Sequence, residues 1–231
     1  MAEAQRAAEG RVASEGQSGP PSEAPPAAVV GTARTRLLDA GLELFGTLGY
    51  EATTIGDLCR QAHVSTRDFY RQVGDRVALF RLVFEREVQR NFERVGAAIA
   101  DAPPTIEVVA TRWMEAWFGA MVADPRRYRI MYTEAHGVDP ALDARRRELL
   151  RSILEFAKAQ IRRCVAARGI DPDASFDLAA ISIAAATREL LQQHMEGALP
   201  DTEPADIVDA IVRLAKLVGE QWMAGAPADG R

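Results

Sequence analysis

Basic and hydroxyl side chains are concentrated in one short stretch of the chain, between Arg60 and Arg76. The four arginines of this stretch outnumber its two aspartates, whereas the whole chain of 231 residues has a net charge of −5. Arginine can make paired hydrogen bonds to guanine, and threonine and tyrosine hydroxyls can bind base edges or phosphate oxygens. Thr66 and Tyr70 are interleaved with the arginines. The stretch therefore has the residue types needed to recognise a nucleic acid, although its charge excess is modest.

Two helix-start signals define the elements that must position these side chains. Thr54 precedes Asp57 by three residues, and Ser65 precedes Asp68 by three, which is the spacing of a capping box. Only residues 62–64 separate the two predicted helices, so they must cross steeply, as in a helix-turn-helix. The spacing then places four side chains on the outer surface of the second helix: Thr66, Arg67, Tyr70 and Arg71.

The same pattern has a simpler interpretation. A capped pair of short helices occurs in many unrelated proteins, where the arginines would be solvated and Tyr70 half-buried. His63, in the predicted turn, likewise has two interpretations. It is either a turn residue with an unusual backbone conformation, since histidine is among the residues enriched in the left-handed region, or an additional phosphate contact.

From about Thr32 to Phe80 the chain resembles the DNA-binding domain of the TetR, or tetracycline-repressor, family of transcriptional regulators. The resemblance is carried by five features: Gly49-Tyr50, Thr53-Thr54, the turn Ala62-His63-Val64-Ser65, Tyr70 and Arg76. It implies that Thr54 with the helix N-terminus, Tyr70 and Arg76 hold phosphates, and that Thr66, Arg67 and Arg71 face bases. The DNA-binding residues expected from the resemblance and the pattern together are Thr53, Thr54, Ser65, Thr66, Arg67, Tyr70, Arg71 and Arg76.

Three positions depart from the family pattern. His63 stands where the family commonly has glycine, Val73 where it has phenylalanine, and Arg76 where it has lysine. Arg76 keeps the positive charge and Val73 keeps the apolar character, so neither change argues against the fold.

The chain as a whole is predicted to be all-α, because its periodic segments have the helical period and no convincing alternating strand occurs. We expect a disordered tail over residues 1–30, which are rich in Ala, Gly, Pro and Ser. A three-helix helix-turn-helix domain is expected over 31–76, and a helical ligand-binding and dimerisation domain over 77–231. The helices predicted after the motif span residues 76–99, 105–123, 125–134, 140–168, 172–197 and 204–223.

Aromatic and methionine side chains are concentrated between Val109 and His136. At helical spacing, such residues are most often part of a protein core, but they would also line an adaptable apolar pocket. Polar residues here and further along the chain could orient a ligand there. The predicted ligand-binding residues are Trp113, Met114, Trp117, Phe118, Met121, Tyr128, Met131, Tyr132, His136, Arg188 and Gln192.

The last two predicted helices have the character of an interface. The first contains many small residues between Ala179 and Ala186, and the second carries an apolar stripe of Ile207, Ile211, Leu214 and Val218. The family resemblance implies that such a pair packs against its copy as a four-helix bundle. We therefore expect a homodimer formed through residues 172–197 and 204–223.

Several classes of protein are disfavoured by the sequence. No apolar run approaches the roughly 20 residues of a membrane span, and Met1–Gly10 lacks the layout of a secretory signal, so a cytoplasmic protein without a membrane partner is expected. Cys59 and Cys164 lack metal or disulfide spacing. Three separate histidines without a catalytic motif predict no enzyme, no metal and no cofactor.

The function predicted from these observations is a DNA-binding transcriptional regulator. We expect a repressor that binds a palindromic double-stranded operator and is released by a small apolar or amphipathic effector. Two alternatives remain open: an activator of the same family, and a helical protein-interaction module that no longer binds DNA.

Overall fold

In the computed structural model, residues 31–169 and 177–225 are described. Over these ranges the chain forms nine α-helices and one π-helical turn, without any strand, which confirms the predicted all-α fold. The predicted disordered tail, residues 1–30, lies outside the described residues. The helices are α1 Ala33–Thr47, α2 Ile55–Ala62, α3 Thr66–Val73, α4 Arg76–Ile99, α5 Ile106–Ala123, α6 Pro125–Tyr128, α7 Pro140–Ala166, α8 Asp177–Met195 and α9 Pro204–Gly225.

Helices α1 to α3 form the predicted helix-turn-helix around a core that they share with the start of α4. Phe45 of α1, Phe69 of α3 and Phe80 of α4 are all fully buried, and the ring centroids of Phe45 and Phe80 lie 5.2 Å apart. Leu58 of α2 is buried in the same cluster. The apolar faces of α2 and α3 therefore meet in one core.

The remaining helices pack around α4 and α5. Helix α5 contacts both α4 and α9, and α8 lies between α7 and α9. Helix α4 takes part in both halves of the fold, since Phe80 packs with the helix-turn-helix and Val95 belongs to a second apolar cluster with α5 and α7. The boundary predicted between residues 76 and 77 stays a prediction. The predicted start of the penultimate helix at Pro172 lies outside the described residues.

The segment predicted as one helix over residues 125–134 is divided in the structure. Helix α6 ends at Tyr128, and Arg129–Glu134 form a π-helical turn, here called the π turn. Such turns are rare and occur frequently at functional sites. Nothing in the apolar periodicity of the sequence distinguishes a π turn from an α-helical one, so this feature was not predicted.

Helix α1 approaches α6 unusually closely at Gly46. A Cβ atom at this position would overlap the Cβ of Arg126 and would lie 3.0 Å from its Cα. A main-chain atom cannot move aside as a side-chain end can. Glycine is therefore required for the contact between the helix-turn-helix and the segment that follows α5.

We expect Gly46→Ala to lower the free energy of unfolding by about 1–3 kcal/mol, the usual cost of overpacking a filled site. This destabilisation is opposite to the usual effect, because alanine normally stabilises a helix interior relative to glycine by about 0.5–1 kcal/mol. Gly119→Ala in α5 is the matched control, since a Cβ there meets nothing within 4 Å and should stabilise the protein. Urea unfolding measures both. Stabilisation by both substitutions would contradict the proposed close packing at Gly46.

Candidate nucleic-acid interface and interior cavity

Helix α3 presents an exposed polar face at the surface of the helix-turn-helix. Ser65 caps the helix by accepting a hydrogen bond from the Asp68 backbone N–H at 3.0 Å. The buried face of α3 consists of Phe69 and Val73. Four predicted contact residues are exposed on the opposite side: Thr66, Arg67, Tyr70 and Arg71.

Both predicted capping boxes place a carboxylate beside the arginines. Asp57 accepts from the Thr54 hydroxyl at 2.6 Å and lies 2.9 Å from Arg60 Nη1, and Asp68 accepts from the Ser65 hydroxyl at 2.7 Å. The pKa of both carboxyl groups lies below the usual range. The hydrogen bonds from the hydroxyl groups are the largest cause, and the neighbouring arginines lower the pKa further. The two aspartates thus stay charged.

Arg71 lies against one of these charged carboxylates. Its Nη2 atom is 2.5 Å from Asp68 Oδ1 on the preceding turn. To contact a base, the Arg71 side chain must first exchange this partner. Arg67 is exposed in the first turn of α3 and makes only a weaker, longer-range interaction with the same carboxylate.

Two of the predicted DNA contacts are occupied within the protein. Thr53 is fully buried, and its hydroxyl donates to the Gly49 carbonyl at 2.7 Å, so its side chain does not fit the expected DNA contact. The Arg76 guanidinium donates to the Thr53 carbonyl at 2.8 Å and lies 4.2 Å from the centroid of the Tyr50 ring. Arg76 therefore holds the loop between α1 and α2, a tertiary role that its flanking position in the sequence did not reveal.

His63 adopts the left-handed conformation of a helix C-cap, with φ 51° and ψ 50°. This agrees with the first of its two interpretations and explains why glycine suits this position in related domains. Arg36 of α1 fixes the turn from the other side, since its Nε donates to the Ala62 carbonyl at 2.9 Å.

The larger part of the fold contains a cavity of about 220 Å³ that is partly open to solvent. Its wall is mostly aliphatic and aromatic and is supplied by α4, α5, the π turn, α7, α8 and α9. Six of the predicted ligand-binding residues line it: Trp113, Met114, Trp117, Met131, Tyr132 and Arg188. Burial raises the pKa of the Tyr132 phenol, which stays protonated as a hydrogen-bond donor.

The other five predicted ligand-binding residues are not part of the wall. Phe118 and Met121 point into the solid core, where both are fully buried. Tyr128 stacks on Tyr132, with ring centroids 5.4 Å apart. His136 is exposed, and Gln192 donates to Glu196 at 3.0 Å. Helical spacing placed these side chains near the cavity but could not distinguish its wall from the core behind it.

Most of the wall residues that the sequence did not predict lie on α4 and α7. Helix α7 has an apolar period that indicated a buried face, but nothing in that period showed that the face borders a cavity. The unpredicted residues on these two helices are Val88, Asn91, Phe92, Val95, Leu149, Leu150, Ile153, Leu154, Phe156, Ala157, Gln160, Ile161 and Cys164.

The π turn joins the cavity to the helix-turn-helix. Met131 and Tyr132 belong to the cavity wall, whereas Glu134 of the same turn accepts from the Tyr50 backbone N–H at 2.8 Å. Arg129 donates to the Thr47 carbonyl at 2.5 Å and to Glu134 at 2.8 Å. A displacement of the π turn would therefore also move the end of α1 and the loop that follows it, because these hydrogen bonds join them.

A group of charged side chains forms a second connection at the same junction. Glu87 of α4 is 2% exposed and lies 3.3 Å from Arg127 Nε of α6 and 3.1 Å from Arg86 Nε. Arg86 also donates to the Leu38 carbonyl at 3.0 Å and to Asp39 of α1 at 2.7 Å. This junction network thus connects α1, α4 and α6.

The described residues hold no cluster of three or more histidine, cysteine or acidic side chains suited to a metal ion. Within the same part of the chain, no helix is both long and apolar enough to cross a bilayer.

Comparison with known proteins identifies the N-terminal part. Residues 37–83 match the family model described as bacterial regulatory proteins, tetR family, which confirms the predicted resemblance over this segment. No curated protein sequence matches the chain.

Solved structures with the same fold cover most of the chain. A TetR-like transcriptional regulator from a Rhodococcus species has a TM-score of 0.64 at 19% identity, covering 84% of this chain and 96% of its own. The transcriptional regulator FadR from Bacillus subtilis, solved in complex with stearoyl-CoA, has a TM-score of 0.64 at 17% identity. The match covers 83% of this chain and 98% of the FadR chain. PfmR from Thermus thermophilus, a TetR family regulator, has a TM-score of 0.59 at 20% identity. The match covers 80% of this chain and 97% of the PfmR chain.

Proposed function

We propose that this chain, a transcriptional regulator with a tetR-family DNA-binding domain, is a cytoplasmic, homodimeric repressor released from its operator by a small apolar or amphipathic effector. The observation that carries the proposal is the π turn, which contributes both to the cavity wall and to the hydrogen bonds that hold the helix-turn-helix. One short element thereby connects a ligand site with a DNA-binding site.

On DNA, α3 enters the major groove with its N-terminal turn leading. Thr66 and Arg67 then face base edges, and Tyr70 holds a phosphate. The exposed N-termini of α2 and α3, at Thr54 and Ser65, suit phosphates because their backbone N–H groups point outward. We leave Thr53 out of the contact set and assign Arg76 mainly to holding the loop before α2.

Effector release follows from the size and position of the cavity. Pockets for drug-sized ligands usually measure about 300–1,000 Å³, whereas this cavity measures about 220 Å³. We expect a ligand larger than the cavity to displace part of its wall, which includes α4 and the π turn. It then binds the two conformations unequally, which is the condition for shifting their populations. The neighbour solved with stearoyl-CoA supports a ligand with an apolar body.

The homodimer is proposed through α8 and α9. Three large apolar side chains on these helices are exposed in the protomer: Leu178, Ile181 and Leu217. Large exposed apolar side chains on two neighbouring helices support an association surface there. A two-fold dimer would place two copies of α3 in successive major grooves, about 34–36 Å apart, on a palindromic operator.

The DNA-binding proposal is tested by sequencing the genomic fragments that the purified protein retains, and by measuring affinity for the resulting operator and for a scrambled duplex. We expect Arg67→Ala to weaken operator binding by about 1–3 kcal/mol and scrambled binding far less, because Arg67 reads bases. Arg147→Ala, at an exposed position of α7, is the control and should change neither affinity.

Two outcomes would contradict parts of this proposal. Retained fragments without a shared palindromic sequence would favour the protein-interaction module. An equal loss on both duplexes would place Arg67 among the phosphate contacts. The activator alternative is distinguished by a transcription reaction on the operator-containing promoter, in which a repressor lowers the transcript level.

A further inference from the structure

Within the described part of the chain, a single charged residue lines the cavity, and it is Arg188 of α8. This residue is exposed, and it makes no hydrogen bond or ion pair with residues 31–169 and 177–225. Arg86 and Arg127, in contrast, are both paired with Glu87. No acidic side chain of the described residues lines the cavity, so the charge of Arg188 is available to an anion that is not part of the chain.

A hydroxyl group lies at the same end of the cavity as Arg188. It belongs to Tyr132 of the π turn and makes no hydrogen bond with the residues that the structure describes. Burial and the neighbouring Tyr128 raise the pKa of this phenol, and the positive charge of Arg188 partly opposes them, so the guanidinium lies within electrostatic reach of the hydroxyl. A guanidinium and a phenol can both donate hydrogen bonds to the oxygens of a carboxylate or a phosphate.

From this end the cavity extends along α5. The rings of Trp117 and Tyr132 lie 6.1 Å apart, whereas Ile106, at the start of α5, packs against Gly219 of α9. All four residues line the cavity. At the rise of an α-helix, the wall from Ile106 to Trp117 measures about 16 Å. A volume of about 220 Å³ over that length leaves a narrow space, which suits an extended chain better than a compact ring system.

We propose that the effector is an extended apolar chain with an anionic head group, and that Arg188 binds the head while the chain lies along α5; the inference rests on the effector site proposed above. A carboxylate and a phosphate ester share the required chemistry, because the planar guanidinium matches the oxygens of both. A cationic head would be repelled, and a neutral head would gain no charge-assisted hydrogen bond.

The position of the head group also connects recognition to DNA release. Tyr132 belongs to the π turn, and Glu134 of the same turn accepts from the Tyr50 backbone N–H at 2.8 Å. A head group bound between Arg188 and Tyr132 therefore contacts the element that holds the helix-turn-helix.

The test uses the full chain with four ten-carbon probes: decanoate, decyl phosphate, 1-decanol and decyltrimethylammonium. At about pH 8 both anionic heads are ionised. Trp113 and Trp117 line the cavity, so tryptophan emission reports binding of each probe. We expect Arg188→Gln to weaken the binding of both anions about 10-fold, because a charge-assisted hydrogen bond is lost. The affinity for 1-decanol should stay the same, and that for the cation should rise.

Opposite changes for anion and cation cannot result from a general loss of packing. Arg188→Lys should keep most of the preference for anions, since it keeps the charge. Arg147→Gln is the matched control, because it removes the same charge from an exposed position that does not line the cavity, and it should leave all four affinities unchanged. The urea midpoint of Arg188→Gln should equal that of the wild type, because the replaced side chain is unpaired.

The length of the chain is tested with octanoate. It should bind about 10-fold more weakly than decanoate, because two fewer methylene groups are buried. Equal affinities of the two acids would contradict an extended chain along α5. The tighter of decanoate and decyl phosphate identifies the head group that Arg188 prefers.

The outcomes separate the two proposals. If Arg188→Gln keeps the wild-type preference for anions, or weakens the anions and 1-decanol equally, the role of Arg188 is overturned while the effector site stays in place. No change in emission with any probe, in the wild type or the variants, would contradict the effector site itself and this inference with it.

Discussion

Glu87→Gln is expected to lower the free energy of unfolding by about 3 kcal/mol. Removing one partner of a buried ion pair typically costs about 3–5 kcal/mol, because the other charge is left uncompensated. Glu87 has no exposed side-chain surface and faces Arg86 and Arg127, whose side chains are 14% and 23% exposed, and Arg90, whose side chain is 47% exposed. Arg86 and Arg127 each keep a second carboxylate, Asp39 and Asp124 respectively, and this places the expected loss at the lower end of the range. The melting temperature should fall by about 6–12 °C for a chain of this size.

Asp101→Asn is the matched control for this prediction. It also removes one carboxylate charge from an ion pair, with Arg112 at 2.6 Å, but the Asp101 side chain is 85% exposed. Exposed pairs contribute about 0–1 kcal/mol, so the control should have almost no effect. Equal effects of the two substitutions, measured by urea unfolding, would contradict the importance of burial at Glu87.

The junction network also makes a prediction about the connection between the two halves. If Glu87 and Arg127 are replaced together by Met, no buried charge of the pair remains unpaired, and much of the stability lost in Glu87→Gln should return. The double variant would then separate the effect on the free energy of unfolding from the effect on the coupling between effector binding and DNA release. A double variant that is stable but no longer releases DNA would show that the charges transmit the effector signal.

The helix-turn-helix could be predicted closely because its signals are local. Thr54 with Asp57, and Ser65 with Asp68, form their hydrogen bonds within three residues, so the sequence spacing defines the helix starts directly. The same reasoning could not predict the role of Arg76, because its partners, the Thr53 carbonyl and the Tyr50 ring, come from a loop more than twenty residues away. That role depends on tertiary structure.

The cavity shows the same division between local and tertiary information. The aromatic stripe of α5 led to the expectation of a pocket at Trp113 and Trp117, and both side chains line the cavity because they lie on one helical face. Asn91 was not predicted, because a single amide in an amphipathic helix normally indicates the solvent side. Only the packing of α4 against α5 and α7 turns this side chain inward.

An apolar stripe shows that a helix face is buried, but it does not show whether the face packs on the same chain or on the second subunit of a dimer. Ile207 and Ile211 were expected to contribute to the dimer surface, yet they are 2% and 1% exposed in the single chain, because α9 packs on α5. Glutamate at Ile211 would disrupt the protomer core. The side chains available to a partner are instead Leu217 of α9, at 60% exposure, and Ile181 of α8, at 48%.

We expect the double substitution of Ile181 and Leu217 by Glu to yield a folded monomer with greatly weakened operator affinity. Both side chains are already solvated in the protomer, so charge at these positions should leave the fold intact, while like charges would oppose each other across a two-fold interface. A dimer binds its second half-site at the high effective concentration set by the first, an advantage of about 10²- to 10⁴-fold that the monomer loses.

Sedimentation and operator titration measure the two effects separately. Leu48→Glu is the control for sedimentation, because Leu48 is 53% exposed but lies at the end of α1, away from α8 and α9. It should sediment as the wild type does. Scrambled DNA is the control for titration, since a monomer should lose most of the preference for the palindrome while keeping single-site contacts. A double variant that remains a dimer of wild-type affinity would contradict the assignment of α8 and α9 as the interface.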